Sequence, residues 1–177
     1  AWLHAAAGRV EDPAVTLAAL NEFLYQHSEP CDFASLLVAA VGADGTVEIV
    51  AQIGGGPNGA AIGPDGRCYL CNNGGFEWHD RNGLLLPGDQ PADYSGGRIE
   101  AVDLDTGEVE VIYTHCDDKP LRGPNDLVFD AAGGMWFTDH GKNRPREKDR
   151  TGVYYALPDG SSIKEVIFPL EAPNGIG

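Results

Sequence analysis

Three times in this chain a Pro-Asn pair opens an apolar stretch: PNGAAIGPDGRCYLCNN over 57–73, PNDLVFDAAGGMWFTDH over 124–140 and PNGIG over 173–177. Each full stretch reads as two short strands joined by a glycine-containing turn, with the asparagine at the mouth of the first strand. Hairpins of a second kind stand before and between them. Ser35 to Val41 turns at Ala43-Asp44-Gly45 into Thr46 to Ile53, Gly97 to Leu104 turns at Asp105-Thr106-Gly107 into Glu108 to Thr114, and Gly152 to Leu157 turns at Asp159-Gly160 into Ser162 to Phe168. The asparagines at 58, 125 and 174 are 67 and 49 residues apart, and the long loop 74–94 accounts for the longer first interval. Four antiparallel strands recurring every 40 to 50 residues or so is the pattern of propeller blades, so the fold class is all-β.

With the Pro-Asn strand innermost, its asparagine faces the central channel. The sequence then holds half a blade, two full blades at roughly 57–115 and 124–169, and the first strand of another, about two and a half blades in all. Closure takes about four to eight blades, which makes a partial propeller the expectation, with the break at Gly177 falling inside a strand. Residues 1–33 differ from the rest. Asp12 is an N-cap candidate, Pro13 suits the first helical position, and Leu17, Leu20 and Leu24 share one face of a helix expected over 13–27, which would dock on the sheet that follows. The organisation is thus a helical segment, 1–33, and a partial propeller domain, 34–177.

Charge narrows the partners. Twelve Lys plus Arg against 27 Asp plus Glu give a net charge of -15, which repels nucleic acid and anionic membrane and suits neutral or cationic ligands, divalent metal included. No apolar run is long enough to span a bilayer and no signal-peptide pattern occurs, so the expected compartment is the cytoplasm. Of the four cysteines, Cys68 and Cys71 form C-x-x-C inside an expected strand, where residues three apart face opposite ways. They read as buried structural thiols.

Polar groups gather at one end of the second Pro-Asn hairpin, because antiparallel pairing brings Asp139 and His140 back beside Asn125 and Asp126. Asn58, Asn125 and Asn174 offer neutral carbonyl oxygens at the channel end of successive strands, the donor type that hard cations such as calcium take together with carboxylates. The alternative is that each caps its own turn. Arg122, one step ahead of Gly123-Pro124-Asn125, is placed to bind a sugar hydroxyl or carboxylate. In the loop 74–94, long enough for a lid or binding loop, Trp78 and His79 are candidates to stack on and hydrogen-bond to a substrate. Asp139 and His140 read either as a base pair for catalysis or, one layer out from the axis, as support for Asn125 together with Asp126. The basic run Lys142, Arg144, Arg146, Lys148, Arg150 reads as a solvated face that could attract an anionic sugar acid or its lactone.

GPNGAAIGPDG, GGRIEAVDLDTGEVEVIY, RGPNDLVFDAAGGMWFTDHG, GVYYA and APNGIG together resemble the senescence marker protein / gluconolactonase / luciferin-regenerating enzyme-like family, from about Ala34 to the last residue. The resemblance implies a six-bladed propeller with one divalent metal, usually calcium and sometimes zinc, at the channel mouth. It implies a ligand set of a first-blade glutamate, two asparagines matching Asn125 and Asn174, and a later-blade aspartate that also serves as general base and falls beyond Gly177. Glu29-Pro30 is only a distant echo of the glutamate's motif. The implied activity is metal-dependent hydrolysis of sugar lactones or related cyclic esters, with the isolated chain expected to be inactive. A non-catalytic calcium-binding or protein-binding propeller is the alternative, since one scaffold hosts unrelated functions.

Overall fold

The computed structural model describes residues 36–41, 47–82 and 84–177. Strands β1 (Leu36–Val41) and β2 (Val47–Ile53) pair as an antiparallel ribbon. Then come β3 (Pro57–Ile62) and β4 (Cys68–Asn72), a small ribbon of β5 (Trp78–Arg81) and β6 (Leu84–Pro87), and β7 (Arg98–Val102) with β8 (Val109–Tyr113). The short pairs β9 (His115–Cys116) with β10 (Lys119–Pro120) and β13 (Asn143–Arg144) with β14 (Glu147–Lys148) flank β11 (Pro124–Phe129) and β12 (Met135–Asp139). Strands β15 (Thr151–Ala156) and β16 (Ile163–Leu170) close the order.

Two four-stranded antiparallel sheets result, ordered β3-β4-β7-β8 and β11-β12-β15-β16, as the repeat predicts. No helix occurs among the described residues; the helix expected over 13–27 and the turn 43–45 lie outside them. Residues 173–177 carry no strand pairing, and side-chain bonds rather than a ladder fix them in place.

The turn chemistry explains where the strands stop. Asp103 Oδ1 accepts from the N–H groups of Asp105 and Thr106 at 3.0 and 2.8 Å, and Asp130 Oδ1 from those of Ala132 and Gly134 at 2.9 and 3.0 Å. Gly107 supplies the left-handed residue that the first of these turns needs, at φ 74°.

Strand alternation then stacks the layers. Cys68, Leu70 and Val102 face β2 and pack with Ala51 and Ile53. The intervening Tyr69, Cys71, Ile99 and Ala101 face the other way and pack with Leu127, Met135, Phe137 and Tyr154 of the second sheet. The two cysteines of the C-x-x-C therefore lie in different core layers, both buried and unbridged, and burial pushes both thiols up. Aromatic packing reinforces the inter-sheet layer: Phe137 stacks on Tyr154 with centroids 5.1 Å apart, and Tyr69 meets Phe129 edge-on at 5.2 Å. The Tyr113 hydroxyl reaches across to the carbonyls of Leu157 and Ser162, at 2.7 Å each. These contacts set β3 beside β11, which brings the Pro-Asn openings together.

Candidate functional site

The two full Pro-Asn openings are built alike. Pro57 stands opposite Asn72 and Pro124 opposite Asp139, and in both hairpins the register shifts immediately afterwards, over 57–60 and over 124–127. Asn58-Gly59 and Asn125-Asp126 therefore fall in β-irregularities, which re-aim side chains that a regular ladder would send alternately up and down.

A polar clamp holds each opening from the second strand. In the first sheet, Asn72 Oδ1 accepts from the N–H groups of Gly56 and Gly74 at 2.9 and 3.0 Å, while Nδ2 donates to the Gly54 carbonyl and to Glu100, at 2.8 Å each. In the second, Asp139 Oδ1 accepts from Gly123 and Gly141 at 2.7 and 2.8 Å, and Oδ2 from Arg122 at 2.7 Å. Asn72 and Asp139 sit fifteen residues after Pro57 and Pro124 respectively. Burial pushes the Asp139 carboxyl above its usual range, opposed by the three N–H donors. With both oxygens committed to main chain, Asp139 makes no bond to His140, and the two do not form a dyad. Adjacent residues on a strand face opposite ways. Asp139 instead holds the turn leading into Asn125.

Three openings converge on Asp126. Its Oδ1 accepts from Leu127 N at 2.9 Å, and its Oδ2 from Ile176 N at 3.2 Å. Gly59 of the first opening lies against the same carboxylate: a Cβ there would stand 2.3 Å from Asp126 Oδ1 and 2.6 Å from Asp126 Cα. On the other side, a Cβ on Gly175 would lie 3.7 Å from Asp126 Oδ2. The Thr138 hydroxyl accepts from Asp126 N at 3.3 Å and donates to the Asn174 carbonyl, tying the third opening to the second.

Asn125 is 7% exposed as a residue; its side-chain amide makes no hydrogen bond with the described residues, and its polar atoms keep contact with solvent. Asn58 is half-buried and the Asn174 side chain is exposed. Arg122 is half-buried; its N–H is held by Asp139 and its carbonyl by the Tyr94 hydroxyl at 2.5 Å. Trp78 and His79 lie on the exposed strand β5, where the His79 ring packs over Gly88 of its own ribbon, with Nε2 4.0 Å from Glu77. His140 stands closer to the openings. Burial lowers its pKa, the charges of Lys142 and Lys148 lower it further, and the Pro173 carbonyl opposes them, so the ring is neutral at pH 7. Its Nδ1 is buried without a hydrogen-bond partner.

The basic run divides. Arg146, Lys148 and Arg150 are exposed as expected, and Arg144 pairs with Asp149 at 2.5 Å. Lys142 departs from the solvated-face reading: it is 1% exposed, and its Nζ donates to Asn73 Oδ1 at 3.1 Å and the Gly75 carbonyl at 2.5 Å. Burial lowers its pKa to about 7, against the pull of Asp139 and Asp149. Its acceptors are nearly seventy residues away in sequence, so no local pattern signals the contact. Asn72 was also missed, although its register with Asp139 was available from the repeat.

The residues present fit a hard cation in one respect. The Asn125 amide, without a protein partner and in contact with solvent, offers a neutral oxygen of the kind calcium accepts. Asp126 already uses both oxygens on main-chain N–H groups, and no cluster of three or more His, Cys, Asp or Glu able to hold a metal occurs among the described residues. The described part of the rim thus supplies neutral donors.

An all-β stack of four-stranded sheets with asparagine openings at one end defines the class of the protein, and comparison with known proteins places it. The chain belongs to the SMP-30/gluconolactonase/LRE-like family, whose model matches residues 32–177. It is 33% identical over 125 residues to the lactonase drp35 of Staphylococcus saprophyticus, a match covering 68% of this chain and 31% of that protein. To the gluconolactonase of Zymomonas mobilis it is 27% identical over 128 residues, covering 68% and 30% respectively. A solved gluconolactonase from Xanthomonas campestris superposes with a TM-score of 0.56 at 25% identity, over 81% of this chain and 44% of that one. The chain thus spans about a third of the length of these curated relatives.

Proposed function

We propose that the chain carries part of the metal- and substrate-facing rim of a hydrolase acting on sugar lactones or related cyclic esters, on a six-bladed propeller plan. The observation that carries this reading is the convergence of the three Pro-Asn openings on Asp126, with the Asn125 amide beside it open to solvent and without a protein partner. The names of the relatives, lactonase and gluconolactonase, support the substrate class. Free cysteines at 68, 71 and 116 suit a reducing compartment and support placement in the cytoplasm.

In this proposal Asn125 and Asn174 would hold a divalent ion, calcium before zinc. When bound, such an ion supplies Lewis-acid polarisation of the ester carbonyl and electrostatic stabilisation of the oxyanion. The chain's own residues orient and bind. Asn58 and Arg122 present a polar edge to sugar hydroxyls, Trp78 stands on the exposed strand β5, and Asp126 and Asp139 fix the main chain that carries the asparagines. Neutral His140 adds a hydrogen-bonding group without adding charge. By the resemblance, the general base is an aspartate of a later sheet, so no proton transfer is assigned to a described residue.

The test is proton release from glucono-1,5-lactone, measured with added calcium, with added zinc and after chelation. In the full-length protein, turnover should depend on the metal and be lost in Asn125→Ala. Metal-independent turnover would contradict the proposal, as would a fully active Asn125→Ala. Turnover by residues 1–177 alone, abolished by Asn125→Ala, would relocate the catalytic carboxylate, with Asp126 and Asp139 the first candidates.

A further inference from the structure

The excursion between β4 and β7, residues 73–97, is fastened to the second sheet at both of its ends. At the far end, Gln90 N donates to the Asn143 carbonyl at 2.9 Å, Arg144 Nη1 donates to Gln90 Oε1 at 3.2 Å, and the Tyr94 hydroxyl donates to the Arg122 carbonyl. At the near end, among the described residues, the hydrogen bonds to the second sheet run through Lys142. Its main chain is fixed by Asp149, whose Oδ2 accepts from Lys142 N at 3.0 Å and whose N–H donates to Lys142 O at 3.0 Å. From that base the side chain crosses to the first sheet. Nζ reaches Asn73 Oδ1 and the Gly75 carbonyl, lies 3.4 Å from the centroid of the Phe76 ring and 5.5 Å from that of Tyr94.

A lysine sealed in this way is not a packing choice. Apolar side chains of the same length fill such space without desolvating an amine, and buried charged groups are often replaceable by them at no loss of stability. What only the lysine provides is a donor that reaches a main-chain carbonyl of the excursion and, with it, a cation-π contact to Phe76. The place it fixes is next to the openings. A Cβ on Gly56 would stand 2.6 Å from Gly75 N, the Phe76 ring meets His140 edge-on at 6.5 Å, and Trp78 follows two residues later.

We infer that Lys142 is a positioning residue: its Nζ pins Asn73, Gly75 and Phe76 beside the Pro-Asn openings, and so sets where the ribbon β5–β6 with Trp78 stands for an incoming substrate. The consequence for substrate affinity rests on the lactone-site proposal; the pinning itself does not.

Hydrogen exchange followed by mass spectrometry on the full chain separates the two. In Lys142→Met, which keeps the length and apolar bulk, exchange over 74–97 should rise roughly tenfold, while the amides of β11 and β12 stay as protected as in the wild type. Asn73→Ala, which removes one acceptor and leaves the lysine, should give a smaller rise in the same residues. In the full-length protein, if a lactone is turned over, Lys142→Met should raise KM several-fold with kcat within about twofold, as expected for lost uniform binding. Unchanged protection of 74–97 in both variants overturns the inference, as does a rise spread equally over both sheets. Should the full-length wild type turn over no lactone, the lactone proposal fails, and the exchange result decides the role of Lys142 by itself.

Discussion

Asp139→Ala is expected to destabilise the protein by roughly 4 kcal/mol, because it leaves the buried N–H groups of Gly123 and Gly141 and the half-buried one of Arg122 without an acceptor, at about 1 to 3 kcal/mol for each buried group. Asp139→Asn separates the hydrogen-bonding role from the charge. At the matching position of the first sheet an asparagine already does this work, and the difference between the two sites lies in the third partner. Asn72 Nδ2 meets the Gly54 carbonyl, whereas Asp139 Oδ2 meets the Arg122 N–H. An amide at 139 keeps Gly123 and Gly141 as donors but turns its NH2 towards another N–H. It also relieves the burial of a charge, which is what raises the carboxyl's pKa. A loss of about 1 to 2 kcal/mol is therefore expected for Asp139→Asn. Urea denaturation followed by circular dichroism measures both; equal losses in the two variants would mean that charge, not the acceptor pattern, is what the site requires.

Gly59→Ala should cost about 3 kcal/mol, at the upper end of ordinary overpacking. The added Cβ would stand 2.6 Å from the Cα of Asp126 and 2.8 Å from the Asn125 carbonyl, so relief has to come from moving β3 away from β11 rather than from rotating a side chain. The glycine in Pro57-Asn58-Gly59 and the aspartate in Pro124-Asn125-Asp126 are thus complementary: one leaves the space that the other fills. The same denaturation experiment reads the loss. Gly66→Ala is the control for backbone effects alone, since a Cβ at Gly66 meets nothing within 4 Å while its φ of 85° carries the left-handed strain. A Gly59→Ala variant no less stable than that control would show that the two inner strands separate freely.

Much of the architecture was legible because it is locally encoded. Asp103, Asp130 and Asp159 bond the N–H groups of their own turns, and Cys68 and Cys71 fall on opposite faces because strand periodicity sends them there. The grouping of Asn125, Asp126, Asp139 and His140 at one hairpin end followed from antiparallel pairing alone. What escaped the sequence depends on contacts between sheets. The loop 74–94 was long enough to suggest a lid; its strands β5 and β6 pair locally, but its ties to Asn143, Arg144 and Lys142 are set by partners some 50 to 70 residues away. Lys142 looked like one more charge in a solvated run for the same reason. Asp139 and His140 suggested a dyad by adjacency, whereas the main chain takes both oxygens of the carboxylate. The third opening, 173–177, was expected as a strand. It is held instead by Thr138 and Asp126, since no described strand pairs with it.

We propose that the three Pro-Asn openings make one rim that binds a divalent cation through asparagine oxygens. A calcium titration observed by NMR on the side-chain amide resonances of Asn58, Asn125 and Asn174 tests it most directly. The account predicts that the Asn125 and Asn174 resonances shift together along one binding curve, that Asn58 follows as a neighbour, and that Asn125→Ala removes the response at Asn174. Resonances that stay still, or that move with unrelated midpoints, would mean that each asparagine serves only its own turn and would contradict the shared site.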